Sequence, residues 1–340
     1  MSNPTRSLSV AVVGATGVVG QEMFRVLEQR AFPIGKLKAL ASKRSNGMEV
    51  RCDGHTVPVE ELSEQAFEGV DVALFSAGAG PSLHYAPIAA EAGALVVDNS
   101  SAWRMKENIP LVVPEVNPGD IHQSEGIIAN PNCCAIPLTV VLEPLRRRAG
   151  LRRVVVSTYQ SASGAGKELV GELEGQIRAI AEGRPVEHHV YPHQLAHNVV
   201  PGGWTMEGEG YNEEEMKLRS ETRKILHLPE LRIAATCVRV PVPIAHGESV
   251  FLETEEPLSS DEARELLAGA PGVVVQDDPA EQLYPTPAAV AGTDEVFVGR
   301  IREDISHPRG LDLWVVSDNI RKGAALNSVQ LAELLVKSYL

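Results

Sequence analysis

The sequence is poor in aromatic residues and lacks long apolar runs. Phe, Trp and Tyr make up 4% of its 340 residues, which argues against a binding module built on aromatic stacking. No run approaches the roughly 18 apolar residues that a membrane-spanning helix needs. The opening MSNPTRS contains no apolar core of a signal peptide. We therefore expect neither a membrane anchor nor an export signal.

The sequence also has few cysteines and more acidic than basic residues. The four cysteines are Cys52, Cys133, Cys134 and Cys237. They show no CxxC spacing, so the sequence indicates neither a zinc site nor a disulfide framework, and a reducing cytoplasm is the favoured compartment. The formal net charge of −14 argues against nucleic acid or an anionic membrane as a partner. An anionic substrate would have to be met by a local cluster of Arg and Lys.

Short apolar segments alternate with helical patterns in the first part of the chain. Strands are predicted at residues 8–15, 36–42, 70–76, 94–98, 111–113 and 127–129, with helices at 21–30 and 81–93. This alternation is typical of an α/β fold with a parallel, doubly wound sheet. The length of 340 residues favours about two domains, on a prior of roughly 150 residues each.

The pattern changes after Cys133. Longer strands in which polar and apolar residues alternate are predicted at 153–160, 231–240, 248–254, 295–302 and 311–316. Helices are predicted at 167–182, 212–226 and 323–340. We expect a second, α+β domain with a mostly antiparallel sheet that has one exposed face.

A glycine-rich segment follows the first predicted strand and opens a helix. Gly14, Gly17 and Gly20 form GxxGxxG, a variant of the dinucleotide-binding GxGxxG loop. Glycines there permit a tight turn and let the backbone approach a pyrophosphate at the helix N-terminus. An ordinary strand–helix turn is the alternative.

The end of the second predicted strand indicates which nicotinamide cofactor is bound. An Asp or Glu at that point would bind the ribose 2′-hydroxyl of NAD. This chain has Ser42-Lys43-Arg44-Ser45 instead, and Arg and Ser suit the 2′-phosphate of NADP. The alternative is a solvated basic turn.

The segment Asn130-Pro131-Asn132-Cys133 delivers a thiol to the start of a predicted helix. Helix N-terminal amides stabilise negative charge, so this thiol should have a lowered pKa and react as a thiolate. A reactive thiol beside a nicotinamide cofactor points to redox chemistry at the acyl level through a thioester. Cys134 is the competing nucleophile, but it would point about 100° away on a helix and suits a small buried thiol.

The periodicity of the sequence does not by itself identify the histidine that would assist this thiol. His246 follows a predicted strand in the turn-like Ala245-His246-Gly247 and is the favoured candidate. A second group comprises His188, His189, His193 and His197, whose spacing could bind metal on a helix. Pro192 interrupts that segment, so we expect an ordered loop and no metal.

In order, these motifs resemble those of the bacterial aspartate-semialdehyde dehydrogenase family over nearly the whole chain. The segments that carry the resemblance are VVGATGVVG, ASKRSNG, DNSSAWRM, PLVVPEVN, NPNC, STYQSASGAGK, PHQLAHNVVP, EEEMKLRSETRKIL, CVRVPVPIAHGES and VSDNIRKGAALNSVQLAE. The glycine loop alone would not support this assignment, whereas the ordered set does.

The resemblance implies roles for individual residues. It implies Cys133 as nucleophile, His246 as acid–base residue and Gln160 as a residue that orients the substrate. For the substrate it implies Arg239 at the α-carboxylate, Glu214 at the amino group (with Glu215 one position away), and Arg104 and Lys217 at the phosphate. For the cofactor NADP it implies Gly14, Thr16, Gly17, Val18, Val19, Gly20, Arg44, Ser45, Ser163, Gly164 and Asn319.

The resemblance also implies the domain plan and assembly. A Rossmann-like NADP-binding domain would cover residues 1–132 and be completed by a C-terminal helix at 320–340. A catalytic and dimerisation domain, like the C-terminal domain of glyceraldehyde-3-phosphate dehydrogenase, would cover 133–319. A homodimer is expected, with a tetramer as the alternative.

The implied reaction is NADPH-dependent conversion of β-aspartyl phosphate to aspartate semialdehyde and inorganic phosphate. The alternatives are a related enzyme such as an N-acetylglutamyl-phosphate reductase, a catalytically silent paralogue and a thiol hydrolase. One departure concerns the nucleophile: many relatives continue with a hydroxyl pair such as Ser-Thr, whereas this chain has Cys134-Ala135. The local hydrogen bonding of the thiolate should therefore differ.

Overall fold

The computed structural model describes residues 7–340, which form two compact units. One unit comprises residues 7–132 together with Ala324–Leu340, and the other comprises Cys133–Gly323. The chain thus re-enters the first unit at residue 324, four positions after the predicted boundary. Within the described part of the chain, no helix combines the length and apolar character needed to cross a membrane.

The first unit contains a seven-stranded sheet in the order β3-β4-β2-β1-β5-β6-β7. Neighbouring strands are parallel except for the β3–β4 hairpin. The strands are β1 Leu8–Val13, β2 Ile34–Ala41, β3 Glu49–Cys52, β4 His55–Glu61, β5 Val72–Phe75, β6 Leu95–Asp98 and β7 Ile127–Ala129. The helices of this unit are α1 Val18–Gln29, α2 Ala79–Glu91 and, from the C-terminal end of the chain, α8 Leu326–Tyr339.

Both faces of this sheet are buried. Val10 and Val12 of β1 belong to an apolar cluster with α1 and α8, whereas Ala11 and Val13 belong to a second cluster with α2. Successive side chains of a strand point to opposite faces, so the helices cover both sides. The predicted doubly wound parallel sheet is confirmed.

The glycine loop lies where the strand order reverses. The chain leaves β1 toward β2 on one side and later returns to β5 on the other. Gly14 has φ +87°, and a Cβ on it would lie 2.4 Å from the carbonyl oxygen of Ser76, just after β5. A Cβ on Gly20 would lie 2.2 Å from the Gly14 carbonyl oxygen. Ligands of open α/β sheets bind in the crevice at such a reversal.

The second unit contains a six-stranded sheet in the order β11-β12-β13-β10-β8-β9. The β8–β9 and β11–β12 pairs are parallel and the other three are antiparallel, as predicted for a mostly antiparallel sheet. The strands are β8 Arg153–Gln160, β9 Arg232–Arg239, β10 His246–Glu253, β11 Val273–Val275, β12 Val296–Glu303 and β13 Gly310–Ser317. The helices are α3 Ala135–Ala149, α4 Lys167–Ala181, α5 Glu213–Ile225, α6 Ser260–Ala268 and the short α7 Pro287–Val290.

Some local predictions were wrong. Residues 111–113 form no strand, since only Leu111 makes an isolated bridge, to Ala129. His246 does not lie in a turn after a strand: it opens β10, directly after Ala245, whose φ is +71°. The last helix starts at Leu326 because a π-helical turn, Arg321–Ala325, precedes it.

We predict that Gly20→Ala destabilises the first unit. The added methyl would meet the Gly14 carbonyl at 2.2 Å, and forced overpacking costs roughly 1–3 kcal/mol. Urea unfolding should therefore show a lower midpoint. The control is Gly80→Ala in α2, where a Cβ meets nothing within 4 Å and helix propensity should add roughly 0.5–1 kcal/mol. Equal midpoints for the two variants would contradict the packing account.

Candidate active site

Polar side chains converge at one edge of the second sheet. Gln160 ends β8 and Arg239 ends the parallel strand β9, where the two residues are register partners. Because β10 runs antiparallel to β8, its first residue, His246, lies at the same edge. Ser317 ends β13 opposite His246, and Asn319 follows two residues later. The register of four strands thus places these groups together.

Cys133 lies two residues before α3. Its sulfur, the sulfur of Cys134 and a ring nitrogen of His246 all lie within 4.8 Å of one another. Cys133 is half-buried and Cys134, the N-cap residue of α3, is buried. A Cβ on Gly323 would lie 3.0 Å from the Cβ of Cys133, so glycine leaves room for the thiol.

The surroundings of Cys133 favour its ionised form. A hydrogen bond from the Cys134 thiol lowers the pKa of Cys133 well below its ordinary value, and the His246 ring adds to this effect. Burial and the nearby Glu214 carboxylate act in the opposite direction without reversing it. The start of α3 also favours negative charge. Of the two thiols, Cys133 is thus the one that ionises more readily, since burial raises the pKa of Cys134.

Ser161 determines the tautomer of the neutral His246 ring. The Ser161 backbone N–H donates to His246 Nδ1 over 3.0 Å, and the Ser161 hydroxyl lies 3.0 Å from the same nitrogen. The hydroxyl can rotate to suit either tautomer, but the amide can only donate. The neutral ring therefore carries its proton on Nε2. A protonated nitrogen cannot coordinate a metal, so this tautomer suits the cluster to hydrogen bonding. Among the described residues His246 Nε2 is buried and has no hydrogen-bond partner, which leaves this donor available.

A second set of hydrogen bonds supports Ser161. Its hydroxyl donates to Asn319 Oδ1 over 3.1 Å, and Asn319 Nδ2 donates to Ser163 Oγ over 3.0 Å. Asn319 Oδ1 also accepts the backbone N–H of Ala245 at 2.8 Å. The side chains of Ser163 and Asn319, which were both expected to contact the cofactor, are thus connected to His246 through Ser161. A Cβ on Gly164 would come within 3.3 Å of His246 and 3.1 Å of Arg239, so any side chain there would disturb both.

Arg239 is a buried cation held by neutral groups. It is 2% exposed, its Nη1 donates to the Ser161 carbonyl oxygen over 2.7 Å, and its guanidinium carbon lies 4.7 Å from the centre of the Trp204 ring. Tyr191 flanks it at 5.7 Å. Within residues 7–340, Arg239 Nε is buried without a hydrogen-bond partner. This arrangement suits an anionic group that would bind there.

Gln160 connects the sheet edge to α5. Its Oε1 accepts the Thr158 hydroxyl at 3.0 Å, and its Nε2 donates to Glu214 Oε1 over 3.1 Å. Lys217 Nζ lies 3.6 Å from Glu214 Oε2.

The neighbouring Glu215 has a different function. Its carboxylate completes the capping box of α5 with Asn212 and accepts the Cys237 backbone N–H. Of the two adjacent glutamates, the structure therefore directs Glu214 toward Gln160.

The predicted nucleotide residues lie in the first unit. Thr16 Oγ1 is 3.3 Å from Ser45 Oγ, which joins the glycine loop to the turn that follows β2. Arg44 is exposed in that turn, and Val18 and Val19 start α1. An exposed arginine beside a glycine loop fits a 2′-phosphorylated dinucleotide.

Arg104 lies at the carboxyl edge of the first unit's sheet. Its Nε donates to the Asn130 carbonyl oxygen and its Nη2 to that of Asn99, each over 2.9 Å. These carbonyls directly follow β7 and β6. The backbone thus holds a buried guanidinium in a defined place.

Sequence reasoning missed Ser161, Tyr191 and Trp204. Ser161 stood within the STYQSASG segment, but the group that acts on His246 is a backbone N–H, which every residue except proline supplies. The histidine-rich loop proved to be ordered by α4: Gln176 Oε1 accepts the backbone N–H groups of Leu195 and Ala196, each at 2.9 Å. That loop brings Tyr191 to Arg239.

Comparison with known proteins identifies the family. The semialdehyde dehydrogenase NAD-binding domain matches residues 9–124, and the semialdehyde dehydrogenase dimerisation domain matches residues 142–322. The chain is 51% identical to aspartate-semialdehyde dehydrogenase of Bacillus subtilis over 340 residues, which covers 98% of each protein.

Two solved structures extend this result. Aspartate semialdehyde dehydrogenase II of Vibrio cholerae, complexed with ASA, has a TM-score of 0.96 at 45% identity and covers 98% of this chain and 100% of its own. The Candida albicans enzyme with NADP has a TM-score of 0.74 at 25% identity and covers 97% and 98%. The family predicted from the motifs is confirmed, and this chain belongs to the aspartate-semialdehyde dehydrogenases.

Proposed function

We propose that this chain reduces β-aspartyl phosphate to aspartate semialdehyde with NADPH and releases inorganic phosphate. The observation that carries the proposal is the Cys133 thiol, grouped with Cys134 and His246 within 4.8 Å in a member of this family. The product would serve lysine, diaminopimelate, threonine, methionine and isoleucine biosynthesis. We further propose a homodimer formed through the second unit, acting in the cytoplasm.

The substrate is recognised by charge. Its α-carboxylate pairs with Arg239, whose Nε has no hydrogen-bond partner in the described part of the chain, and its ammonium group pairs with Glu214. An acetylated amine carries no charge to pair with a carboxylate, so Glu214 supports aspartyl phosphate over an N-acetylglutamyl substrate. Arg104 and Lys217 are assigned to the phosphate. Cys133, His246 and Arg239 are all present, which argues against a silent paralogue.

The first chemical step forms a thioester. The Cys133 thiolate attacks the acyl carbon of the bound substrate, the C–O bond to phosphate breaks, and phosphate leaves with the bonding electrons. A thiolate needs no base for this step, because its proton is already absent. Gln160, held between Thr158 and Glu214, orients the acyl group.

The second step uses the predicted cofactor, which the first unit fits. Positions 14 and 20 are glycines, and because glycine has no Cβ the loop can be tight there. The N-terminus of α1 suits a pyrophosphate. When bound, NADPH supplies the hydride that reduces the thioester carbonyl.

His246 then stabilises the oxyanion on the reduced carbon. The Ser161 amide holds Nδ1, so Nε2–H is the group that can donate to this oxygen. Collapse of the oxyanion breaks the C–S bond, which releases the aldehyde and regenerates the thiolate without a net proton transfer. The resemblance implied an acid–base histidine, and the tautomer favours a donor role.

Absorbance at the NADPH band tests the proposal. Purified protein with aspartate semialdehyde and NADP should form NADPH when inorganic phosphate is present and little without it. NADPH formation that ignores phosphate would reject the acyl-phosphate assignment. A folded protein that forms none with phosphate would reject the activity.

We predict that Arg239→Lys lowers kcat/KM for aspartate semialdehyde by roughly 10- to 100-fold, because a charge-assisted hydrogen bond contributes about 1.5–3 kcal/mol. The loss should appear mainly in KM. Arg232→Lys, an exposed position on the same strand, is the control and should match the wild type. Equal kinetics for both variants would contradict the carboxylate assignment.

We predict that Arg44→Ala raises KM for NADP roughly tenfold, through loss of one charge-assisted contact to the 2′-phosphate. KM for NAD should not change, since NAD lacks that phosphate. Lys36→Ala, an exposed cation of β2, serves as the control. An equal rise in KM for NADP and for NAD in the Arg44 variant would instead indicate a general effect on the loop.

A further inference from the structure

We propose that Asn327, on the C-terminal helix α8, positions Arg104 through the side chains of Asn130 and Asn99. The inference rests on the proposed function, in which Arg104 binds the substrate phosphate. Asn327 acts through its neighbours, so it is a positioning residue and not a catalytic one. All four residues belong to the first unit, to which the chain returns at residue 324.

The Arg104 guanidinium is held by two carbonyl oxygens that follow neighbouring strands. Its Nε donates to the Asn130 carbonyl and its Nη2 to the Asn99 carbonyl. Asn99 directly follows β6 and Asn130 directly follows β7, and the last register partners of these parallel strands are Asp98 and Ala129. The place of the guanidinium therefore depends on how the two carbonyls lie relative to each other.

The side chains of the same two residues join the strand ends. Asn130 Nδ2 donates to Asn99 Oδ1 over 2.6 Å, and the Asn130 backbone N–H donates to the Asp98 carbonyl over 2.7 Å. The side-chain bond thus links the strands one residue beyond the last register pair. If it were lost, the chain segments that carry both carbonyls could move apart.

Asn327 determines which way the Asn130 amide faces. Its Nδ2 donates to Asn130 Oδ1 over 2.7 Å and to the Val112 carbonyl over 3.3 Å. A carbonyl can only accept, so Val112 sets the orientation of the Asn327 amide, and the Asn327 donor in turn sets that of Asn130. Reversal of the Asn130 amide would place donor against donor at Asn327 and oxygen against oxygen at Asn99. The three amides therefore have one consistent order of donors.

Helix α8 supplies this donor from a rigid position. Asn327 is the second residue of the helix and is 0% exposed. Leu326 and Val329 on either side of it belong to the apolar cluster that also contains Val112 and Ile128 of the sheet side. Without the donor, the Asn130 side-chain oxygen would be buried and would lose this partner, which costs more than the bond itself contributes.

The test compares phosphate with the other two substrates. NADPH formation from aspartate semialdehyde, NADP and inorganic phosphate gives a KM for each. The variants are Asn327→Leu, which removes the donor at similar size, Asn99→Ala, which removes the acceptor at the other end, Arg104→Ala, and Asn327→Leu combined with Arg104→Ala. A second measurement is the rise in Tm that phosphate causes relative to chloride at equal ionic strength, with NADP present.

The control for general destabilisation is Asn117→Leu. Asn117 is another buried amide of the first unit, and it bonds the backbone of Leu111 and Val113. Its loss should lower Tm without a selective change in the KM for phosphate.

Asn327→Leu should raise the KM for phosphate roughly fivefold, the effect that corresponds to one neutral hydrogen bond. The KM values for NADP and aspartate semialdehyde should stay within about twofold of the wild type, because only the phosphate meets Arg104. Asn99→Ala should act in the same direction. Once Arg104 is alanine, adding Asn327→Leu should change the KM for phosphate by less than about twofold, since residues that act as one unit are not additive.

Three kinetic results would overturn the inference. An unchanged KM for phosphate in Asn327→Leu would show that Arg104 does not depend on this amide. An equal rise in all three KM values, shared by Asn117→Leu, would show general destabilisation instead. A further rise of about fivefold on the Arg104→Ala background would show that Asn327 acts by another route.

The Tm measurement separates this inference from the proposed function, because it requires no turnover. A wild-type protein that forms no NADPH but is stabilised by phosphate would reject the reaction. Loss of that stabilisation in both Asn327→Leu and Arg104→Ala would still support the positioning role. A wild-type protein that neither uses phosphate nor is stabilised by it would overturn the inference as well, since Arg104 would then have no phosphate to bind.

Discussion

The register of the second sheet is the constraint on which the site depends. Gln160 and Arg239 are partners in the parallel β8–β9 ladder, and His246 and Ser317 are partners in the antiparallel β10–β13 ladder. A slip of one residue in any of these pairs would turn the affected side chains to the opposite face. The backbone of Ser161, just after β8, then contacts His246 through its N–H and Arg239 through its carbonyl. One residue between two strands thus sets both the tautomer of the histidine and the place of the guanidinium.

Buried charges in this acidic protein differ in whether neighbouring side chains neutralise them. Glu143, a buried carboxylate of α3, is met by Arg146 and Arg147 at 2.6 Å each, so the structure itself neutralises the charge. Arg239 is equally buried but meets a carbonyl oxygen and aromatic rings, which leave its positive charge in place. A buried cation that no carboxylate neutralises attracts an incoming anion. The net charge of −14 makes such a local exception necessary for an anionic substrate.

Much of the fold could be predicted because its signals are local. The strand at 153–160 has the predicted bounds, and the change from short apolar to alternating strands marks the second unit. The β3–β4 hairpin at the edge of the first sheet was missed, since its alternate residues are polar and Pro58 interrupts its pattern. The proposed nucleophile, Cys133, was identified from the helix that follows it. The burial of Glu248 could not be predicted, because a glutamate in an alternating strand predicts an exposed position, whereas this side chain is 1% exposed.

Folding shifts the ionisation of a buried carboxyl and of a thiol at the site in opposite directions. In an unfolded chain at neutral pH the Glu248 carboxyl would be ionised and the Cys133 thiol neutral. In the folded chain burial raises the pKa of Glu248, and the Cys134 hydrogen bond lowers that of Cys133, so folding favours the neutral carboxyl and the ionised thiol. The raised carboxyl pKa makes stability fall as pH rises above the ordinary value of 4.5, and the lowered thiol pKa makes stability rise with pH up to the ordinary value of 9.0. In the pH range where both effects act, the fall in stability from the carboxyl and the rise from the thiol partly offset each other. The pH dependence of stability that the two groups contribute together is therefore weaker there than the dependence that either group would contribute alone.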